Sequence, residues 1–378
     1  MTKNEESFLE ECIQSALPFC DELIVVDTGS TDATIDIAAR YTDKIFHTRI
    51  DDDFSGPRNV ALDHVRTPWV LYLDADERLS QATGPALTAV LGAAGAHVEA
   101  LSTLRYNFIS SGSFYADNVV RIFRNREHIR YRNRVAESVV PAVTEAGSEI
   151  TRSATVINHI GNWRSPAVRR MKSDWYVELL TARLAEDPGS SELRWRLALT
   201  LKKVGRMAEA DELSYEALEL SPDSADAQSA RAHVLRMLDQ PGEALELYRR
   251  VVASSPDNAQ AWNMVGIAEL SIGNLPSARK ALEHARLLDE RLTHTLINQG
   301  LVAQAAGEYH AAVELYESAA RENPAFLDEH WLGVLEADPF QHLANDSVMR
   351  FAGLAYHLAY CRWKLDRAAD PARLGVGE

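Results

Sequence analysis

Acidic residues arrive at two places where an apolar run ends. The run Leu23-Ile24-Val25-Val26 leads into Asp27 and the segment TGSTD at 28–32. A second run, WVLYL at 69–73, empties into Asp74-Ala75-Asp76-Glu77. Between them lies FSGPRN at 54–59, which carries Arg58 and Asn59. Strands that deliver carboxylates at their carboxyl ends make half of a nucleotide-binding site, because hard divalent cations take oxygen ligands and bring phosphates with them.

The surrounding segments have the periodicity needed to hold such a site. Phe8, Leu9, Cys12, Ile13, Ala16 and Leu17 stand at helical spacing, and Pro18 helps to end that helix. LIVVD at 23–27 reads as a buried parallel strand, and Gly29 permits a tight turn after it. TDATIDIAARY forms the next helix, Lys44 to His47 a short strand, SGPRNVALDHV another helix and WVLYL a further strand. Strand and helix in alternation predict a mostly parallel, Rossmann-like α/β sheet. A sheet of this kind calls for a strand before Lys3, where the chain offers only Met1 and Thr2.

The bulk composition removes several function classes. With 39 basic and 55 acidic residues the chain carries −16, which argues against binding nucleic acid or adhering to anionic lipid by charge. The 378 residues make two domains the expectation. Cys12, Cys20 and Cys361 have no metal-ligand spacing and form no even framework, which suits a reducing cytoplasm. The longest uncharged stretch, 79–97, is too polar for a transmembrane segment, and no signal peptide is visible.

Four ordered motifs carry a resemblance. Lys3-Asn4-Glu5-Glu6, then VVDTGSTD at 25–32, then Phe54 with Arg58-Asn59, then Asp74 to Glu77 resemble the family 2 glycosyltransferases of the GT-A fold. The resemblance covers roughly residues 1–186 and implies transfer of a sugar from a UDP-sugar, with UDP-glucose the default donor. It implies that Asp27 and the Asn4-Glu5 pair contact the base and ribose, and that Arg58 contacts the base or phosphates. A divalent cation, Mn²⁺ or Mg²⁺, would neutralise the leaving diphosphate, with Asp76 as direct metal ligand and Asp74 closer to the ribose.

The middle of the chain alternates in the manner of strands: LSTLRYNF, DNVVRIFR and IRYRNRVAESVV, between Ala100 and Ala142. RIFRN at 121–125 matches a further element of the family. Arginines at 121, 124, 126, 130, 132 and 134 read either as the exposed face of a strand or as a local positive field on the sugar-diphosphate or on an acidic acceptor. An inverting transferase needs one carboxylate to take the acceptor's proton. Glu137 is the candidate, with Asp117 as the alternative. The family reads His-Glu where this chain has Ala136 before Glu137. His159, in VINHIGNW, matches a later His-x-Gly element and is a candidate metal or diphosphate ligand.

After Trp163 the pattern is helical. Pro188, Pro222, Pro256, Glu290 and Pro324 stand 34 apart, as do Gly205, Asp239, Gly273 and Gly307, and Ala210, Ala244, Ala278 and Ala312. This is the tetratricopeptide period. The predicted organisation is a glycosyltransferase domain at 1–186, four repeats forming an all-α superhelix at 187–326, capping or dimerisation helices at 327–366 and a disordered tail at 367–378. The function expected is inverting, metal-assisted glycosyl transfer to a peptide, protein or cell-surface glycan. The alternative is a transferase-derived scaffold that has lost catalysis and binds proteins through its repeats, favoured by Ala136 and the missing strand. A nucleotidyltransferase would carry a glycine-rich phosphate loop near the amino terminus, and none is visible.

Overall fold

The computed structural model describes residues 1–49, 53–108, 114–134, 137–161, 166–327 and 354–369. They divide into two units, Met1–Phe108 with Ala116–Gly161, and Ile109–Tyr115 with Asn162–Glu378. Among the described residues no helix is long and apolar enough to cross a membrane.

In the first unit, α1 (Leu9–Ala16) buries Leu9, Cys12 and Ile13, the i, i+3, i+4 stripe that the sequence displays. The parallel strands β1 (Val25–Asp27) and β2 (Ile45–His47) flank α2 (Thr34–Ala39). Leu9, Ile13, Val25, Ile37, Ala38 and Ala75 form one shared core. Then come α3 (Ser55–His64), β3 (Trp69–Leu71), β4 (Glu77–Leu79), α4 (Gly84–Ala93), β5 (Val98–Phe108), β6 (Phe114–Arg124), α5 (Val140–Glu145) and β7 (Glu149–His159).

The sheet differs from the expected one. β3 does not join β1 and β2. It is the end strand of a second, mixed sheet ordered β3-β6-β5-β7-β4, antiparallel to β6, while β5 runs parallel to β7 and β4 antiparallel to it. Trp69, Val70 and Leu71 pair with Arg124, Phe123 and Ile122 of the long strand β6, and beside β1 the strand expected before Lys3 is present as one parallel bridge, Thr2 to Asp27. A second difference concerns IRYRNRVAESVV. Its alternation does not make a strand; Arg132 and Ser138 bridge to each other, and Ile129, Tyr131 and Val139 enter the core with Val70 and Phe123.

The second unit begins with α6 (Pro166–Glu186), which the sequence reading had placed in the first domain. Four helix pairs follow: α7 (Ser191–Lys203) with α8 (Met207–Leu220), α9 (Ala225–Met237) with α10 (Pro241–Ser254), α11 (Ala259–Ser271) with α12 (Leu275–Leu288), and α13 (Thr293–Ala305) with α14 (Tyr309–Glu322). The 34-residue period is structural at every level. Gly205, Asp239, Gly273 and Gly307 all have left-handed φ, from 60° to 82°. Ala210, Ala244, Ala278 and Ala312 are fully buried where helices approach. Ser190, Ser224 and Asn258 each cap a helix by accepting from the N–H three residues on.

α15 (Leu354–Ala369) lies against the last pair, with Arg362 bonded to Glu317 and His357 to Gln304. The helix therefore runs three residues into the segment expected to be disordered. The rest of that tail and most of the expected capping helices, residues 328–353 and 370–378, lie outside the described residues.

Candidate active site

The segment Lys3–Glu6 fastens the loop after β1. Asn4, at φ +54, donates its N–H to Ser30 Oγ (2.9 Å) and accepts the Thr31 N–H on Oδ1 (2.8 Å). The Glu5 N–H binds Thr34 Oγ1, and Glu6 accepts the N–H of Ala33 ahead of α2. Gly29, at φ +103, turns the loop so that its N–H and that of Ser30 converge on Asp27. Asp27 is 3% exposed. Burial pushes its pKa up, but the Ser30 hydroxyl, these amides and His47 outweigh burial and bring it below the ordinary value.

The second part of the site is a chain of alternating charges across the mixed sheet. Arg58, on α3, donates from Nε to Glu137 Oε1 (2.8 Å), and its Nη2 lies 2.5 Å from the same oxygen. Its guanidinium stacks 4.2 Å from the Tyr72 ring centroid, and Nη1 is 3.2 Å from Asp74 Oδ1. Arg121 Nη2 bonds both Asp74 Oδ2 (2.6 Å) and Glu77 Oε1 (2.7 Å). Arg105 bonds Glu77 Oε1 and clasps Asp117 with Nε and Nη2 at 3.0 and 2.7 Å. Asn107 donates to Asp117 Oδ1 and meets His159 Nδ1 at 2.8 Å, and His159 Nε2 stands 3.5 Å from Asp76 Oδ2.

Pairing at these strand ends explains the electrostatics. Against the upward push of burial, Arg58 and then Arg121 hold the Asp74 carboxyl well below the carboxylate range. Arg105 does the same for Asp117, again against burial. Cys12 donates to the Asp74 carbonyl, and burial pushes its thiol up, which leaves it inert as a nucleophile.

The network also assigns the histidine tautomer. Because the Asn107 amide nitrogen donates to Asp117, its oxygen faces His159 Nδ1, which must carry the proton. In the neutral ring Nε2 then presents a lone pair toward Asp76. Two donors on one divalent ion at bond lengths of about 2.1 Å stand roughly 3.0–3.4 Å apart. The 3.5 Å gap between Nε2 and Oδ2 is slightly wider than that span, so the two groups would close in on an ion between them. The network joins the carboxylates of Glu137, Asp74, Glu77, Asp117 and Asp76 to the guanidiniums of Arg58, Arg121 and Arg105 and to His159. Among the described residues no group of three or more His, Cys, Asp or Glu surrounds one point. Phosphate oxygens and water would complete the coordination, as is usual for Mg²⁺.

Comparison with known proteins bears on this geometry. Residues 1–147 match the model of glycosyl transferase family 2, and residues 191–224 and 229–289 match tetratricopeptide repeat models. An amino-terminal segment matched by glycosyl transferase family 2 thus precedes segments matched by tetratricopeptide repeats. A TPR repeat-containing protein of Synechococcus elongatus is 32% identical over 217 residues, 56% of this chain and 53% of that protein. The lipopolysaccharide core biosynthesis glycosyltransferase LpsC of Rhizobium meliloti is 34% identical over 149 residues, 36% of this chain and 54% of LpsC. The chain thus spans about half the length of these relatives. Glycosyltransferase SunS of Bacillus subtilis is 32% identical over 80 residues, 21% of this chain and 19% of SunS. Among solved structures, the tetratricopeptide protein TTC0263 of Thermus thermophilus is 18% identical, with a TM-score of 0.39 over 46% of this chain and 98% of that one.

Within the first unit, the residues singled out in the sequence separate into two groups. Asn4, Glu5 and Asp27 meet around the turn after β1, although the bonds drawn by Asn4 fasten the loop itself. Arg58, Asp74, Glu137, Asp117, Asp76 and His159 belong to the one network. Ala136 lies outside the described residues. The run of arginines is neither a free positive field nor one exposed face. Arg121 is buried on carboxylates, Arg124 binds the carbonyls of Val98, Ala94 and Gly95, and Arg126, Arg130 and Arg132 pair with Glu99, Asp63 and Glu145. Sequence reasoning named Glu77 only as part of the acidic box and missed Arg105, Asn107 and Tyr72. A signal existed: Arg105 and Asn107 share one face of β5, and Asp117 and Arg121 share one face of β6, polar pairs at even spacing.

Proposed function

We propose that this chain is an inverting, metal-assisted glycosyltransferase that uses a UDP-sugar, with UDP-glucose as first donor, and a peptide or protein acceptor. The observation that carries the reading is His159 Nε2 standing 3.5 Å from Asp76 Oδ2 at the end of a carboxylate-rich network. When bound there, a divalent cation would neutralise the charge that builds on the departing diphosphate.

The chain's own groups do the rest. Asp27, held by the amides of Gly29 and Ser30, is a fixed acceptor for the base, and Asp76 with His159 holds the diphosphate end. Arg58, paired with Asp74 through Nη1 and with Glu137 through Nε and Nη2, keeps a fixed positive charge beside the diphosphate end. Glu137 takes the acceptor's proton as the acceptor oxygen bonds the anomeric carbon and the bond to the diphosphate oxygen breaks. Asp117 is unsuited to that task because both its oxygens are engaged by Arg105 and its pKa is lowered. The repeats favour a peptide or protein acceptor, since such arrays present an extended binding face. The name of LpsC supports a lipopolysaccharide glycan as the other acceptor class.

The test is mass spectrometry of peptide and glycan acceptors incubated with nucleotide sugars and Mn²⁺. A hexose added only with metal, and lost in Asp76→Ala, supports the reading. If UDP and Mn²⁺ give no metal-dependent heat on titration, the chain is instead a repeat-bearing scaffold.

A further inference from the structure

Parallel pairing brings two side chains from neighbouring strands to one sheet end. Asp27 closes β1, His47 closes β2, and the register pairs them with each other. The end of β2 is held in place on its other flanks. The Thr48 N–H bonds the Asp27 carbonyl (2.9 Å), and the Phe46 ring stacks on His64 with centroids 3.7 Å apart. By strand alternation Phe46 points away from the face that carries His47. The His47 ring is left beside Asp27, with Nδ1 3.5 Å from Oδ2.

The two residues differ in what a ligand can reach. The Asp27 side chain is 4% exposed, and the amides of Gly29 and Ser30 occupy both of its oxygens. Thr28 is buried as well, its hydroxyl donating to the Thr2 carbonyl. The His47 side chain, in contrast, is 66% exposed. A carboxylate only accepts, so in the neutral ring the proton sits on Nδ1 toward Asp27. Nε2 then offers a lone pair to whatever stands outside. What Asp27 presents to a ligand therefore passes through His47.

We infer that His47 reads the base of the donor, its Nε2 accepting the ring N–H of a uracil while Asp27 holds the imidazole from behind. This rests on the transfer reading above and names the atom that selects the nucleotide. Ligands of α/β sheets lie beyond the carboxyl ends of the strands, where both residues stand. Uracil carries a ring N–H between two carbonyls. Cytosine has a lone pair at the same ring position, which would face the lone pair of Nε2 with no proton between them. Asp27 is the positioning residue, because it fixes which nitrogen of His47 carries the proton.

Calorimetric titration with UDP and with CDP, each with Mn²⁺ at about pH 8, where imidazole is neutral, tests this on the full chain and on His47→Ala. The unaltered chain is expected to bind UDP about tenfold or more tighter than CDP. His47→Ala is expected to lose about tenfold for UDP and to bind the two nucleotides alike. The side chain is exposed, so its removal spares the core, and binding that still requires Mn²⁺ shows the metal end of the site intact. A UDP preference that survives in His47→Ala, or one absent from the unaltered chain, overturns the inference and leaves the transfer reading standing. So does an equal loss for both nucleotides, which assigns His47 to supporting the turn. No binding of UDP by the unaltered chain overturns both.

Discussion

Both contacts from Arg58 to Glu137 fall on a single oxygen, Oε1, so the guanidinium fixes the carboxylate without using Oε2. Asp117 is held by Arg105 through both of its oxygens. The difference separates a carboxylate that has an oxygen to spare for a proton from one that is wholly structural. Replacing Glu137 by Gln keeps the partner for Arg58 and removes the basic oxygen. The expected outcome is a loss in kcat of about 10²–10⁴-fold with UDP affinity retained. Initial rates with UDP-glucose, alongside UDP titration, check it; unchanged kcat assigns Glu137 to positioning alone.

Asn107 makes a sharper probe of the metal reading than either proposed ligand, because it touches the ion's ligand and not the ion. It sets which nitrogen of His159 carries the proton. Asn107→Leu removes the acceptor at Nδ1, and the fixed lone pair at Nε2 goes with it. Mn²⁺ affinity in the presence of UDP is expected to fall about 10–100-fold. Calorimetric titration reads this, and no change means that His159 takes no part in holding the cation.

The repeats allow a stability prediction by internal comparison. Ser190, Ser224 and Asn258 cap three successive repeats through the same hydrogen bond, while Leu292, at the corresponding place in the fourth, is buried and supplies none. Ser224→Ala is expected to destabilise the second unit by about 1 kcal/mol. Urea denaturation followed by circular dichroism measures it. An unchanged midpoint would show that packing of Ala227 and Ala244 alone holds the α9 end.

How far the chain could be read before folding follows from the range of the interactions involved. The α1 stripe and the 34-residue steps are local patterns, repeated within a few turns or a few repeats, and they survive into the structure unchanged. The grouping of β3 was not local. Whether WVLYL lies beside β1 or beside β6 is decided by its antiparallel pairing with Ile122–Arg124, residues far along the chain. IRYRNRVAESVV misleads for a related reason. Its alternating apolar residues are buried one by one around a turn closed by Arg132 and Ser138, which imitates the period of a strand. The site was legible in its carboxylates and hidden in its arginines. Arg105 and Arg121 come from long strands 16 residues apart in sequence, and only pairing of those strands places both on Glu77.

Asp74 yields the clearest dependence on pH. Its carboxylate stands between Arg58 and Arg121, which lower its pKa well below the ordinary value despite burial. A depressed folded pKa stabilises the fold above the unfolded pKa of about 3.9, and that contribution is lost as pH falls toward the folded value. Asp27 and Asp117 shift in the same direction and add to the same acid limb. Asp74→Asn leaves two buried guanidiniums without one of their partners, for an expected loss of about 3 kcal/mol at pH 7. The two proteins should converge as pH drops below about 4, where the carboxyl of the unfolded chain begins to protonate while the folded one is still ionised. Urea midpoints from pH 7 to pH 2, in chelator so that no cation intervenes, measure the gap. A gap that stays constant down to pH 2 would mean that Asp74 contributes through packing and hydrogen bonding, with its charge immaterial.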